Sequence, residues 1–292
     1  MTVFKYSGAG NDFFIIDGRC GCMERYRSAE LISSICDRRN GIAKEGFRTG
    51  SDGLIILGNS EVADFSMEFY NPDGSGGMMC GNGGRCVVAF ARRLGIMPSE
   101  DCGVYPFEAP DGLHRASVLS STGAVDTVRL GMKDVDGVTV YPDGIFLDTG
   151  TRHFVTFAEN VEAVDVGTLG SAIRRDPRFA PQGTNVNFLS QPPDGSLHIR
   201  TFEKGVEAET LACGTGITAT AIAAFIRGIR PARIENGSLH YELQAREAAL
   251  SVDFRPLQPA PMLTGLPSEI SSFKVRDIFL TGPAELLYMA EV

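Results

Sequence analysis

The feature that most restricts how this chain can fold is a four-residue motif that occurs twice. Cys80-Gly-Asn-Gly83 and Cys213-Gly-Thr-Gly216 lie 133 residues apart, nearly half of the 292-residue length. The first opens a segment running through Val87, Phe90, Ala91 and Leu94 to Gly95, the second one running through Ile217, Ala221, Ala224 and Phe225 to Gly228. Both segments have helical periodicity. In each, a glycine sits 15 positions after the cysteine, where a helix would stop. A strand-like run (residues 65–70 and 197–202) and a polar loop precede each copy. The repeat predicts two similar halves, each presenting one strand–loop–helix unit.

Short apolar runs separated by Gly, Pro, Asp and Asn fill the remainder. Phe65, Met67 and Phe69 alternate with polar neighbours, the period of a half-buried strand. Further strands are expected at residues 3–7, 13–17, 54–57, 115–120, 127–130, 145–148, 153–157, 186–189, 239–243 and 250–254. Asp111-Gly112, Asp143-Gly144 and Asp194-Gly195 mark turns between such runs. Ser28 is an N-cap candidate for a helix through Leu31, Ile32, Ile35 and Cys36 that would end at Asn40-Gly41. Pro256, Pro259, Pro261 and Pro267 mark a connection, after which residues 277–280 and 285–289 cross back to another layer or domain. The expected domains are residues 1–124, completed by 277–292, and residues 125–276.

The chain carries 27 Lys plus Arg against 36 Asp plus Glu, a formal charge of −9. That balance argues against a nucleic-acid or membrane-surface role, because affinity for phosphate backbones comes mostly from basic side chains. The pairs Arg38-Arg39 and Arg92-Arg93 read as solvated helix faces. No apolar run approaches the roughly 18–20 residues needed to span a bilayer, and the N-terminal residues lack the regions of a signal peptide. A soluble, cytoplasmic protein is expected. Seven cysteines, an odd number without regular spacing, favour free thiols. Cys36 and Cys86 fall on apolar helix faces and read as core. Cys20-Gly-Cys22 could bind metal, but no second ligand pair has zinc-like spacing.

The paired motifs carry the chemistry. Glycines after each cysteine let the backbone turn freely, and a helix starting there would aim amides and its positive dipole end at an anion. The same field lowers the pKa of a thiol. Two such sites suit a carboxylate held between helix ends with a sulfur on either side of its α-carbon. One thiolate would remove the α-proton while the opposite thiol returns one to the other face. Donors on the carboxylate would stabilise the carbanion with neither metal nor cofactor.

Five separated segments, Ser7-Gly-Ala-Gly-Asn-Asp-Phe13, Asn71-Pro-Asp-Gly-Ser75, Cys80-Gly-Asn-Gly-Gly-Arg85, Gly183-Thr-Asn-Val-Asn-Phe188 and Glu203 through Cys213 to Gly216, resemble diaminopimelate epimerases. Gly50-Ser-Asp-Gly-Leu54 and Leu280-Thr-Gly-Pro-Ala-Glu285 extend the resemblance over nearly the whole chain. It implies an α/β (α+β) fold of two structurally similar domains, each a sheet wrapped around a central helix, with the active site in the cleft between them. It also implies interconversion of LL- and meso-diaminopimelate, feeding lysine and peptidoglycan synthesis.

The same resemblance makes Cys80 the base toward the LL isomer and Cys213 the base toward the meso isomer. Gly81, Asn82, Gly214 and Thr215 would donate backbone amides to the α-carboxylate, while Asn11, Asn71 and Asn187 would hold substrate polar groups. Glu203 would contact substrate and assist the second thiol, and His153 would assist the first. From the residues alone, His153 reads as structural and the three asparagines as turn formers.

Departures from the family pattern concern the distant end of the substrate. Lys204 stands where Arg is common, which keeps the charge but loses the bidentate fork. Gly150-Thr-Arg-His153 puts Thr151 in place of a substrate-binding amide and adds Arg152, and Gly53 corresponds to a substrate-contacting Gln of some members. Arg152, or Lys204 through a water, is the expected partner of the distal carboxylate. A racemase of another amino acid such as histidine, a thiol redox protein and a non-catalytic binder remain alternatives. The expected partner is a small amino acid, with a homodimer left open.

Overall fold

The computed structural model describes every residue except Cys22, Met78 and Met262, and of Met23 only the backbone. The chain forms two compact units, residues 1–130 with 282–292, and residues 131–281.

The first unit contains β1 (Thr2–Gly8), β2 (Asn11–Asp17), α1 (Ala29–Cys36), β3 (Leu54–Gly58), β4 (Phe65–Tyr70), α2 (Gly81–Arg93), β5 (Val104–Ala109), β6 (Gly112–Thr122) and β7 (Val125–Gly131). The second contains β8 (Val135–Tyr141), β9 (Gly144–Asp148), β10 (Arg152–Phe157), α3 (Val166–Arg174), β11 (Asn185–Ser190), β12 (His198–Glu203), β13 (Ala208–Thr210), α4 (Gly214–Ile226), β14 (Arg233–Glu235), β15 (Ser238–Gln244) and β16 (Ala249–Pro256). A last strand, β17 (Ser268–Glu291), runs through both units.

Each unit closes a ring of strands, and the two rings follow the same order of pairings. In the first, β1 to β2 is antiparallel, β2 to β3 parallel, β3 to β4 antiparallel and β4 to β5 parallel; antiparallel steps through β6, β7 and the end of β17 return to β1. In the second, β9 to β10 is antiparallel, β10 to β11 parallel, β11 to β12 antiparallel and β12 to β15 parallel; antiparallel steps through β16, the first part of β17 and β8 return to β9. Closure leaves few unpaired edges.

A helix fills each ring. Residues 82–91 of α2 are all buried, against β1, β2, β3, β4 and β6. In α4 only Thr215 and Phe225 are more than marginally exposed, and the helix packs on β9 to β12, β15 and β16. Three of the first four residues of α2 are glycine, so intrinsic propensity is poor and burial must supply the stability. Each fully buried Ile or Phe, such as Ile217, Ile222 or Phe90, contributes about 1.5–3 kcal/mol.

Four expectations need correction. The unit boundary lies after Leu130 rather than residue 124, and β17 joins the first unit from Gly282 rather than 277, because β7 pairs with β6 on one side and residues 282–285 on the other. α1 stops at Cys36, not at Asn40-Gly41. There the Asp37 carboxylate accepts from the amides of Arg39 and Asn40 at 2.8 and 2.6 Å, a local turn that competes with the helix. Arg38 is only partly exposed and bonds Asp12 and Asp52. Finally, residues 277–280 and 285–289 belong to one continuous strand. Cys36 and Cys86 are buried as expected.

Candidate active site

The N-termini of the two central helices match closely. Cys80 is the N-cap of α2, with φ −110° and ψ 119°, and Cys213 the N-cap of α4, with φ −111° and ψ 110°. Both helices are 13 residues long. Both end in the same turn, Ile96 N–H to Ala91 O at 3.1 Å and Ile229 N–H to Ala224 O at 3.0 Å, with Gly95 and Gly228 at positive φ. Neither cysteine makes a side-chain capping bond, whereas Ser28 caps α1 and Asp165 caps α3. The first-turn amides that a capping Ser or Asp would engage are thus not engaged by the side chains of these two N-cap residues. Gly81, Asn82, Gly214 and Thr215 sit in those turns.

In the first unit, a two-residue turn of Ala9 and Gly10, both at positive φ, delivers Asn11 to the start of β2. Gly8 lets this hairpin touch α2, because a Cβ there would lie 2.8 Å from Asn82 O and 2.9 Å from Cys86 Sγ. A chain of amides follows. Arg85 Nη2 donates to Asn82 Oδ1 (2.9 Å), Asn82 Nδ2 to Asn11 Oδ1 (2.7 Å) and Asn11 Nδ2 to Asp52 Oδ2 (3.1 Å). A donor-only guanidinium at one end and an acceptor-only carboxylate at the other fix the direction of both amides. Arg38 links Asp52 to Asp12, and Asp12 pairs with the buried Lys5 at 2.9 Å. Burial raises the Asp12 carboxyl, but bonds from Arg38 and Lys5 outweigh it and hold the group below its usual range. Arg85 is wholly buried and, among the described residues, has no carboxylate partner. Asn71 lies apart from this chain, in the turn after β4, where its Nδ2 donates to Ser75 Oγ at 3.0 Å.

The second unit assembles a different set. His153 on β10 is fully buried, and burial pushes its pKa down to about 3, so the ring is neutral. Its Nε2 lies 2.9 Å from both Thr215 Oγ1 and Thr151 Oγ1, and Thr215 Oγ1 lies 3.4 Å from Cys213 Sγ. Within its unit His153 therefore faces the Cys213 end of α4, the thiol opposite to the one it was expected to assist. Thr149 Oγ1 donates to Thr215 O (2.9 Å), hooking the β9–β10 hairpin onto α4. Glu203 accepts from Thr210 Oγ1 at 2.6 Å. Burial raises its carboxyl above the usual range, with hydrogen bonds from Thr210 and Cys213 opposing the shift.

Asn187 departs from expectation. It is wholly buried and its amide is used by His153, Phe154 and Thr201, so it is not exposed to hold substrate. Asn185, two residues earlier on the same face of β11, is a residue that sequence reasoning missed. It accepts from Lys204 N–H (2.9 Å) and donates to Thr151 Oγ1 (3.3 Å) and Arg152 O (3.1 Å), tying three of the departure positions together. Period-2 spacing within Asn185-Val-Asn187 was the available signal. Asp52 and Arg85 fall inside quoted motifs but were given no role, since nothing in their spacing shows that they join Asn11 and Asn82.

Two further departures resolve structurally. Arg152 lies on the opposite face of β10 from His153, donates to Phe179 O (3.1 Å) and Gln182 Oε1 (2.8 Å), and stacks on Phe146. It is therefore not the free cation expected for a distal carboxylate, whereas the Lys204 side chain is exposed. Gly53 has no room for a side chain, because a Cβ would lie 2.5 Å from Tyr70 O. Cys22, half of the Cys20-Gly-Cys22 pair, lies outside the described residues. Among the described residues no group of three or more His, Cys, Asp or Glu is placed to hold a metal, and no helix is long and apolar enough to cross a membrane.

A family model described as diaminopimelate epimerase matches residues 3–129 and 145–253. The chain belongs to the diaminopimelate epimerase family. It is 40% identical to the diaminopimelate epimerase of Flavobacterium psychrophilum, over 99% of this chain and 98% of that one. It is 38% identical to that of Chlorobaculum tepidum, over 98% and 99%. Among solved structures, a Bacillus anthracis phenazine biosynthesis protein of the PhzF family superimposes with a TM-score of 0.66 at 13% identity, covering 100% of this chain and 98% of that one. A probable proline racemase from Agrobacterium radiobacter gives 0.63 at 17%, covering 100% and 92%. These two show the fold, a two-unit α+β architecture, and the family membership makes the protein an isomerase.

Proposed function

We propose that the protein epimerises LL-2,6-diaminopimelate to the meso isomer, in the cytoplasm, for lysine and peptidoglycan synthesis, with Cys80 and Cys213 as its two bases. The observation that carries this reading is the matched pair of cysteine N-caps, each without a side-chain capping bond, in a chain of this family. One thiolate takes the α-proton, and the other thiol returns one to the opposite face. The first-turn amides at Gly81, Asn82, Gly214 and Thr215 bind the α-carboxylate and stabilise the charge that develops on it. Glu203 orients the Cys213 thiol. No cofactor is needed for this sequence of proton transfers. Asn11 and Lys204 bind substrate polar groups, Lys204 those at the distal end.

The test is α-hydrogen exchange in deuterium oxide with LL- and meso-diaminopimelate beside a panel of other amino acids, histidine included. Deuterium should enter at Cα of diaminopimelate, and Cys80→Ser or Cys213→Ser should lower turnover about 10²- to 10⁴-fold. Full turnover in either variant defeats the two-thiol mechanism, and faster exchange into another amino acid reassigns the substrate.

A further inference from the structure

We infer that Asn187 is a positioning residue: it holds the His153 proton on Nε2 and so makes the Thr151–Thr215 hydroxyl pair a hydrogen-bond donor to the Cys213 sulfur. The starting point is the direction of the Asn187 amide. Its Oδ1 accepts from Thr201 Oγ1 at 3.0 Å, and its Nδ2 points to Phe154 O at 3.4 Å. The reverse orientation would set two oxygens against each other at Phe154 with no proton between them. The amide nitrogen therefore also faces His153 Nδ1, at 3.0 Å. An amide N–H only donates, so Nδ1 accepts, and the single proton of the neutral imidazole sits on Nε2.

Proton counting gives the consequence. Nε2, Thr151 Oγ1 and Thr215 Oγ1 form a triangle with edges of 2.9, 2.9 and 3.2 Å. It holds three protons, one on each corner, but Nε2–H has no lone pair with which to accept. The Nε2 proton takes one edge and one hydroxyl proton takes the edge between the threonines. The other hydroxyl proton must leave the triangle. Asn185 Nδ2 already donates to Thr151 Oγ1, and Cys213 Sγ lies 3.4 Å from Thr215 Oγ1. A proton leaving through Thr215 lands on the sulfur, where a thiolate would accept it as a charge-assisted bond. With the proton on Nδ1 instead, Nε2 would accept a proton from one of the two hydroxyls, and no hydroxyl proton would be forced out of the triangle toward the sulfur.

The backbone makes room for this arrangement. A Cβ at Gly216 would lie 2.5 Å from Asn187 Oδ1 and 3.3 Å from His153 Cε1, so the fourth residue of the second motif must be glycine for the pair to sit beneath α4.

The test has a spectroscopic arm that does not depend on activity. In protein labelled with ¹⁵N at histidine, the His153 signals are assigned by eliminating those of His114, His198 and His240 with Gln variants. Nε2 should be of the pyrrole type and Nδ1 of the pyridine type. The reversed pattern, or two pyrrole-type nitrogens, overturns the inference. Asn187→Asp, which places an acceptor beside Nδ1, should move the proton to Nδ1. The kinetic arm rests on the proposed epimerase reading. Thr215→Val should lower kcat about tenfold or more, with the larger part of the loss recovered in Thr215→Ser. Wild-type kcat in Thr215→Val overturns the donor role. Wild-type protein inactive on diaminopimelate would defeat the functional reading while leaving the ¹⁵N result to decide the tautomer.

Discussion

The two central helices share a start, a length and an ending, yet they rest on different floors. Beneath Gly83, three residues after Cys80, lie Ile55 and Met67; beneath Gly216, three after Cys213, lie Asn187 and His153. The polar groups of the first unit are charged, with Lys5, Asp12, Arg38, Asp52 and Arg85 joined through amides, whereas those around His153 are neutral hydroxyls and amides. One backbone design therefore serves two electrostatic environments. Repetition conserves the direction of the helix N-terminus, while the side chains under it are free to differ.

The largest expected effect is in the charged half. Asp12→Asn removes the partner of a fully buried Lys5 and should cost about 3–5 kcal/mol in urea unfolding, since the amine is left without its counter-charge. Asn187→Leu, which removes neutral bonds only, should cost less, and an equal loss would erase the contrast. Next come the glycines. Gly216→Ala forces a methyl against a hydrogen-bonded amide and ring and should cost about 1–3 kcal/mol. Gly83→Ala meets the flexible ends of Ile55 and Met67 at 3.0 and 3.3 Å, with Cys80 Cβ at an ordinary 3.5 Å, and should cost under about 1 kcal/mol by the same measurement.

Acid separates the halves more finely. His153 has its folded pKa depressed to about 3 from 6.5, so its contribution is fully present above about pH 6.5 and is lost as pH falls. In that window the unfolded chain binds a proton that the folded unit refuses, and stability should decline by roughly 1.4 kcal/mol per pH unit. Asp12 is also depressed, from 3.8, so its contribution survives until the pH drops below the ordinary carboxylate range. Between about pH 6 and pH 4, amide exchange should therefore open α4 before α2. His153→Gln should flatten the slope, and an unchanged slope would remove His153 as its cause.

The sequence made the repeated elements readable because each combines a periodic apolar segment with a motif at its start. Both central helices lie where the motif predicts, and most strands fall within a residue or two of the expected runs. The misses have local causes. β5 carries Pro106 and β8 carries Gly137 at φ 93°, neither of which belongs to a strand pattern. α3 contains two glycines, and Gly170 is needed because a Cβ there would lie 2.5 Å from Phe202. β17 is interrupted by register shifts and by Asp277 at positive φ, which makes one strand read as two pieces. In the candidate site, the cysteines, Asn11, Asn82 and Glu203 were singled out from motifs. The partners of the two asparagines were not: Asp52 lies far from Asn11 in sequence, and only folding brings it and Arg85 into one chain of amides.

The long final strand has a consequence for how the polypeptide matures. Every strand of the second ring precedes Gly282, but the first ring needs residues 282–291 to bridge β7 and β1. In order along the polypeptide the second ring thus has all its strands before the first does, so the first unit cannot close ahead of it as an independent amino-terminal domain. The amino-terminal half waits, open at two edges, until the last segment threads home.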